Sequence, residues 1–224
     1  MRDLLTYVGM ALILLLTAAV AAPFFIDFDA YRRRIAEELS VASGVQVTLN
    51  GPISLRLLPT PRFAAEDLQW SGDWGAVHAE KAFFELALPG LIGGRLQFSR
   101  ARLDDAEISV ETQKGWAVKN LPATQVDDLV LHRARVIFLR DGAPALRLEN
   151  LELAANAPSL AGPFSARGSF ALGGKQVAFT LATDVLAKDV LPLKANLTGL
   201  DETGRLELDG RLNLAAAPLF DGDA

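Results

Sequence analysis

The chain has 224 residues, half of them apolar, so it can bury a sizeable core as one large or two small domains. Its formal net charge is -5 and its lysines and arginines are scattered, which argues against a nucleic-acid partner because phosphate binding needs a concentrated basic face. It contains no cysteine, which excludes disulfides and thiolate metal sites and leaves the redox compartment open.

The first segment is apolar and free of charge from Leu4 to Ile26. At about 1.5 Å per residue, a helix of this length crosses a hydrocarbon core of about 30 Å. The sequence therefore predicts a single-pass transmembrane anchor over residues 1–26. The residues that we assign to this anchor are leucines and the two phenylalanines near its end: Leu4, Leu14, Leu15, Leu16, Phe24 and Phe25.

A cleaved signal peptide is the alternative interpretation of this segment. Ala19-Val20-Ala21 places small residues where a signal peptidase could cut. The basic region before the apolar run has only Arg2, offset by Asp3, and Phe24-Phe25 extends the run past the cut. We favour the anchor for these two reasons.

The charges that flank the anchor do not favour an exported domain. Arg2 precedes the anchor, whereas Arg32, Arg33 and Arg34 follow it. Taken alone, the positive-inside rule places the following domain in the cytoplasm. The acidic residues among these arginines count little in that rule, so an exported domain has to be argued on other grounds.

A short amphipathic helix is predicted after the anchor, with Asp27 or Asp29 as its N-cap and Gly44 as its end. This helix either packs on the following sheet or lies on the membrane surface. We favour packing on the sheet. The residues of its apolar stripe are Tyr31, Ile35 and Leu39.

From Val45 onward the apolar period changes from helical to alternating, which indicates β-strands. Two runs, 45–50 and 53–58, flank Gly51-Pro52 and suggest a β-hairpin. An irregular connection is predicted at 88–94, and no Ser/Gly-rich linker divides residues 27–224. Further predicted strands are 63–70, 77–88, 95–111, 128–140, 146–154, 164–172, 176–183, 191–198 and 204–214.

Three of these strands carry additional information. The run Val136-Ile137-Phe138-Leu139 is apolar on both faces, so each face needs a cover, a partner or a ligand. A change of parity near Glu149-Asn150 predicts a β-bulge. Asp209-Gly210 fits either a hairpin turn or a glycine inside one long strand, and we favour the strand. The leucines that share a face with this glycine are Leu206, Leu208, Leu212 and Leu214.

No catalytic constellation emerges from the polar residues. His78 and His132 lie in strand-like runs without ligands at metal-binding spacing, so structural or surface roles are expected. Asp104-Asp105 and Asp127-Asp128 are interpreted as turn or edge residues, because neighbours in a strand point to opposite faces. Gly173-Gly174 is interpreted as a hairpin turn and not as part of a phosphate loop. The sequence therefore predicts no enzyme, no metal site and no cofactor.

The order of these features resembles the AsmA family of bacterial envelope proteins. The resemblance rests on the apolar anchor, on Phe28-Asp29-Ala30-Tyr31-Arg32 at the start of the helix, and on the segment 43–55. These motifs are structural, so no functional residue is transferred with them. Further matching elements follow in the family's order: Leu58-Pro59-Thr60-Pro61, Ala65-Glu66-Asp67-Leu68 and Ala101-Arg102-Leu103-Asp104-Asp105-Ala106-Glu107-Ile108.

The resemblance implies a protein anchored in the inner membrane with its β-rich part in the periplasm. It also implies kinship with groove-shaped proteins thought to carry phospholipid toward the outer membrane. Family members are usually longer, so residues 27–224 are interpreted as an AsmA-like domain or as the N-terminal part of a longer one.

We therefore expect a mainly β fold, with a curved, mostly antiparallel sheet that shelters acyl chains of phospholipid in an apolar groove. The alternative is an envelope assembly module that uses the same apolar surface to bind another envelope protein. The candidate lipid-facing residues come from the two-sided strand and from the leucine face of the last predicted strand: Val136, Phe138, Leu206, Leu208, Leu212 and Leu214.

Overall fold

The computed structural model describes residue 10 and residues 28–56, 60–72, 75–87, 98–111, 126–158, 162–187, 190–199, 204–213 and 219–223. The segment interpreted as an anchor or a signal peptide, Leu4 to Ile26, lies outside these residues apart from Met10. Within the described ranges, no helix has both the length and the apolar character needed to cross a bilayer.

The described chain contains two short helices followed by strands. A 3-10 helix, Phe28–Tyr31, leads directly into the α-helix α1, Arg32–Ser43. The strands, in chain order, are β1 (Gln46–Leu49), β2 (Ile53–Arg56), β3 (Arg62–Gly72), β4 (Gly75–Leu86), β5 (Phe98–Glu111), β6 (Val126–Arg140), β7 (Ala143–Asn156), β8 (Ser165–Leu172), β9 (Lys175–Thr183), β10 (Val190–Thr198), β11 (Arg205–Asn213) and β12 (Leu219–Asp223).

All twelve strands belong to one sheet, in the order β1-β3-β4-β5-β6-β7-β8-β9-β10-β11-β12, with β2 also paired to β3. Strands β5 and β6 are parallel, and every other neighbouring pair is antiparallel. Within the described ranges β12 does not pair with β1, so the sheet is open there. The predicted mainly β class with a mostly antiparallel sheet is confirmed.

Each strand predicted from residue 63 onward is present. The bulge near Glu149-Asn150 is confirmed by a register shift between Glu149 and Glu152, and Gly173-Gly174 forms the predicted turn between β8 and β9. Gly210 lies inside β11, paired with Leu193 of β10, so the interpretation as one long strand was right. The predicted connection at 88–94 lies outside the described residues. Strand β12 was not predicted.

The predicted hairpin between β1 and β2 is wrong, because these strands do not pair with each other. Both pair with β3, so they are two parts of one edge strand. The Gly51 N–H donates to the Glu66 carbonyl over 3.1 Å, and the Glu66 N–H donates to the Pro52 carbonyl over 3.0 Å. A Cβ on Gly51 would lie 2.5 Å from the Glu66 oxygen, so glycine lets the edge strand pass close to β3.

Helix α1 packs on the sheet, as predicted. Ile35, Ala36 and Leu39 contact the buried core, and Gly44 ends the helix with a φ of 69°. Tyr31 occupies the N-cap position without a side-chain hydrogen bond, so the expected aspartate cap is wrong: Asp29 lies within the preceding 3-10 turn, and Asp27 is outside the described residues.

Two side chains of α1 bind the backbone along the open edge of the sheet. The Ser40 hydroxyl accepts the Val47 N–H over 2.8 Å and donates to the Ala36 carbonyl over 2.7 Å. The Arg32 guanidinium donates to the Asn50 carbonyl over 3.0 Å. Because an uncovered edge strand can pair with other chains, these bonds fix α1 in place and block part of the edge.

A line of backbone irregularities crosses the sheet from β3 to β7. Asp67, Asp105, Arg133 and Asn150 have φ values of 47° to 52°, which non-glycine residues seldom adopt. Along this line Glu66 pairs with Lys81, Lys81 with Asp104, and Asp104 with His132. The register shifts that mark bulges on this line occur where β6 pairs with β7 and where β7 pairs with β8. Aligned irregularities of this kind bend a sheet, so we infer that this line, which we call the crease, marks a transverse bend.

Alanines lie next to the crease on the face opposite the charged side chains. Ala79 is 0%, Ala106 2% and Ala134 0% exposed, although the sheet is a single layer at these strands. Complete burial without a second layer requires larger neighbours on the same face to close over them. We infer that this face is the inside of the bend, where only small side chains fit.

Enlarging a side chain inside the bend should destabilise the sheet. We expect Ala134→Leu to lower the free energy of unfolding by about 1–3 kcal/mol, because the added methylenes have no space. Chemical denaturation monitored by circular dichroism measures this change. Ala154→Leu is the matched control, since Ala154 is exposed on β7. Equal stability of the two variants would contradict a tightly packed bend.

Candidate functional site

One face of the sheet is apolar from β1 to β11, and we call it the apolar face. Directly paired residues of neighbouring antiparallel strands lie on the same face, so the register traces it across the sheet. Its register rows run, for example, from Leu49 through Leu68 to Ala79, and from Leu181 through Ala195 to Leu208. Its buried members include Leu49, Ile53, Ala65, Leu68, Val77, Ala79, Ala82, Leu103, Ala106, Leu131, Ala134, Val136, Leu151, Phe170 and Val177.

Burial on the apolar face changes along the sheet. The fully buried residues end at β9 with Val177, which is 1% exposed and pairs with Phe170. Beyond it, Phe179 and the leucines of β10 and β11 are only half-buried. The fully buried residues of the apolar face therefore lie on β1 to β9, whereas its described residues on β10 and β11 are half-buried. Accessible members also occur elsewhere, since Leu146 of β7 pairs with Phe138 and is 43% exposed.

The six candidate lipid-facing residues divide between two distant strands. Leu206 and Leu208 are half-buried on β11 and pair with Leu197 and Ala195 of β10. The backbone of Leu212 belongs to β11, but its side chain is not described, and the whole of Leu214 lies outside the described residues. Among the predicted lipid-facing leucines, the accessible apolar surface that the structure describes on β11 is therefore formed by Leu206 and Leu208.

The remaining two candidates lie on β6. Val136 is 8% exposed and belongs to the closed core, whereas Phe138 is half-buried beside it. Ile137 and Leu139 point to the opposite face and are also half-buried, so the predicted two-sided apolar character is present. Val136 and Phe138 lie on the same apolar face as the leucines of β11. They form no cluster with those leucines, because β6 and β11 are five positions apart in the sheet order.

Sequence reasoning missed several residues of the accessible surface. Phe179 packs on Phe170 with ring centroids 5.8 Å apart, and Leu193 and Leu197 continue the surface on β10. The signal was present in the sequence as alternation within β9 and β10. Only the register shows that these alternations face the same side as Leu206 and Leu208.

The opposite face carries ion pairs along the crease, and we call it the charged face. Arg102 donates to Asp104 over 2.7 Å, and Arg133 pairs with Asp105. The Arg133 guanidinium also donates to His132 Nε2 over 2.6 Å, which leaves Nδ1 of His132 to donate to Glu152 over 2.7 Å. These bonds connect residues at or near the positive-φ positions of β5, β6 and β7.

The interpretation of Asp104-Asp105 as turn or edge residues is wrong. Both lie in the middle of β5, which is paired with β4 and β6, and each carboxylate has its own arginine. The hydrogen bond from Arg133 lowers the pKa of Asp105, and the hydrogen bond to Asp104 raises the pKa of Arg102. These shifts stabilise the charged forms, so the pairs act as structural links.

The remaining polar candidates also bind local partners. His78 Nε2 lies 2.9 Å from Asp67, and this hydrogen bond lowers the pKa of Asp67. The interpretation of Asp127-Asp128 as turn or edge residues is also wrong, because both lie in β6 between β5 and β7. Asp128 lies 3.5 Å from Arg100 and accepts a hydrogen bond from Asn156. Within the described ranges, no group of three or more His, Asp or Glu residues is arranged to hold a metal ion.

Removing the arginine at the crease should change the titration of its partner. We expect Arg133→Gln to raise the pKa of Asp105 toward its ordinary value, because the strongest hydrogen bond to the carboxylate is weakened. Nuclear magnetic resonance titration of the carboxyl carbons measures this shift. Arg140→Gln, at the exposed end of β6, removes the same charge and should leave Asp105 unchanged.

The same variant should alter the pH dependence of stability. The pKa of Asp105 is depressed in the folded state, so its contribution is present above the unfolded pKa and is lost as pH falls through the folded pKa. Arg133→Gln should therefore flatten the acidic part of the stability curve. An unchanged Asp105 pKa in this variant would show that the ion pair is not what lowers it.

Comparison with known proteins identifies the family of this chain. The model of the AsmA family matches residues 1–129, which is more than half of the 224 residues and extends into β6. No curated protein and no solved structure matches the chain significantly. Strands β7 to β12 lie beyond the matched region and continue the same sheet. The chain therefore belongs to the AsmA family, which associates it with the bacterial envelope and with outer-membrane biogenesis.

Proposed function

We propose that this protein is a non-enzymatic envelope protein that holds acyl chains of phospholipid on its apolar face. It is anchored in the inner membrane by residues 1–26, with its sheet in the periplasm. The observation that supports this proposal is the continuous apolar face, which includes the half-buried leucines of β10 and β11. Family membership supports the envelope setting.

Physical chemistry favours an acyl chain as the ligand of this surface. Apolar area in contact with water costs about 25 cal/mol per Å², and a methylene chain covers such area without leaving polar groups unpaired. The half-buried leucines of β10 and β11 offer a strip with no polar side chain in register. A phospholipid bound there can keep its charged headgroup in water, so binding is non-covalent and spread over many residues.

Along β11, charged side chains that point to the opposite face alternate with the leucines of this strip. Arg205 donates to Asn196 over 3.1 Å, and Lys194 lies 2.8 Å from Asp209. These exposed pairs keep one side of the sheet solvated while the other side contacts lipid. The alternation supports contact between lipid and one face only.

Photocrosslinking can test whether lipid binds the apolar face. We expect crosslinkers at Leu206, Leu208 and Phe138 of the full-length chain to capture phospholipid in cells, detected by mass spectrometry of the adducts. Glu207 is the matched control, because it is exposed on the opposite face of the same strand. Val136 should give little adduct, since it is 8% exposed. Failure at all three sites, or equal capture at Glu207, would count against the proposal.

A protein partner is the second candidate function, favoured by the free side of the last strand. Strand β12 pairs with β11 along one edge, and no strand within the described ranges pairs with its other edge. An open edge can accept a strand from another envelope protein. Purification of the chain with one stoichiometric protein and no lipid would favour this assembly role.

The exported topology is the part of the proposal most open to a direct test. The flanking arginines favour a cytoplasmic domain, whereas the family favours the envelope. We expect a reporter enzyme that works only outside the cytoplasm to be active when fused after Ala224. A reporter that works only in the cytoplasm, fused at the same position, should be inactive. The reverse pattern would overturn the periplasmic location.

A further inference from the structure

The outward side of α1 is an unassigned surface. Ile35, Ala36 and Leu39 contact the core, and Arg32 and Ser40 bond to the edge strand, so α1 has a fixed orientation. Its other side presents Tyr31, 54% exposed, and the exposed residues Arg33, Arg34 and Val41. The sheet therefore leaves an aromatic ring and two guanidinium groups facing outward at the start of the helix.

The sequence before α1 brings this surface close to a bilayer. The uncharged run ends at Ile26, and the 3-10 helix begins at Phe28. Two extended residues span at most about 7 Å, and four residues of a 3-10 helix rise about 8 Å. If residues 4–26 cross the membrane, Arg33 and Arg34 lie within about 20 Å of the hydrocarbon edge, and the intervening headgroup layer is about 5–7 Å thick.

The charges of this surface are available for a ligand. Arg33 lies 3.9 Å from Glu37, but the two side chains are 94% and 69% exposed, and such pairs contribute little. Arg34 forms no ion pair with any residue in the described ranges. The acidic residues Glu37 and Glu38 lie one turn further along α1, away from the membrane end.

We propose that the first turns of α1 dock on the anionic surface of the bilayer that residues 4–26 enter. Arg33 and Arg34 bind lipid phosphates, for which planar guanidinium groups are well suited. The Tyr31 ring lies at the headgroup level, where tyrosine is enriched. This inference rests on the membrane anchoring that belongs to the proposed function. It also adds an orientation to that function: α1 is bonded to the edge of β1, so docking of α1 would hold that edge of the sheet toward the membrane.

The test uses the full-length chain in vesicles of phosphatidylcholine with about one third phosphatidylglycerol. Because the chain has no cysteine, Val41→Cys places one dye on the exposed side of α1, where Val41 is 82% exposed. Energy transfer from this dye to acceptor-labelled headgroups reports how near α1 lies to the surface. Flotation of the vesicles reports anchoring separately.

We expect strong energy transfer in the parent protein and a loss in Arg33→Gln/Arg34→Gln. Each basic residue near an anionic surface changes the ratio of docked to undocked protein about fivefold. Salt at 1 M should weaken transfer in the parent protein, because the screening length falls to about 3 Å. Arg140→Gln/Arg147→Gln is the control, since it removes the same charge from exposed positions of β6 and β7.

The outcomes separate this inference from the proposed anchoring. Loss of transfer in the α1 variant alone, with flotation intact, supports docking by Arg33 and Arg34. Flotation with equal transfer in all variants, or equal transfer in vesicles of phosphatidylcholine alone, overturns the docking and leaves the anchor standing. Absence of flotation in the parent protein overturns both.

Discussion

Burial of one continuous apolar face within a single sheet is the constraint on which this structure depends. A flat sheet of one layer would leave that face in water, and α1 contacts only the region near β1. The bend at the crease, with fully buried alanines on its inner side, allows larger residues such as Leu103 and Leu131 to bury one another. The hydrophobic core of this protein is therefore a consequence of sheet curvature.

The charged face stabilises that curvature from the other side. Each non-glycine residue with positive φ costs of the order of 1–3 kcal/mol, so the bulges need compensation. Asp105 and Arg133 both have positive φ and form an ion pair with each other, and the backbone N–H of Arg133 donates to Glu152 over 3.1 Å. The strained residues are thus bonded across neighbouring strands, which holds the bulges in line and makes the bend a cooperative feature of β5, β6 and β7.

Local patterns in the sequence predicted the strands well but not their partners. The alternation of apolar and polar residues predicted every strand from residue 63 to β11. Strand β12 was missed because Asp221-Gly222-Asp223 has the composition of a turn, and only its pairing with β11 shows that it is a strand. The β1–β2 hairpin was wrong for the same reason, since Gly51-Pro52 fits a turn as well as an edge bulge. The 8% exposure of Val136, a predicted lipid-facing residue, depends on its pairing with Ile108 of β5 and Leu148 of β7, which alternation within β6 does not reveal. Long-range register is not encoded in any local pattern.

Burial of the apolar face is uneven along the sheet. The fully buried apolar residues lie on β1 to β9, and the matched region of the family ends within β6. Strands β10 and β11 bury their leucines only partly, so a ligand there would add burial of apolar surface. Under the proposed function, an acyl chain on this surface would cover half-buried leucines without entering the buried core. The proposed function therefore predicts that lipid binding depends more on the half-buried leucines of β10 and β11 than on Val136 of β6, which is 8% exposed.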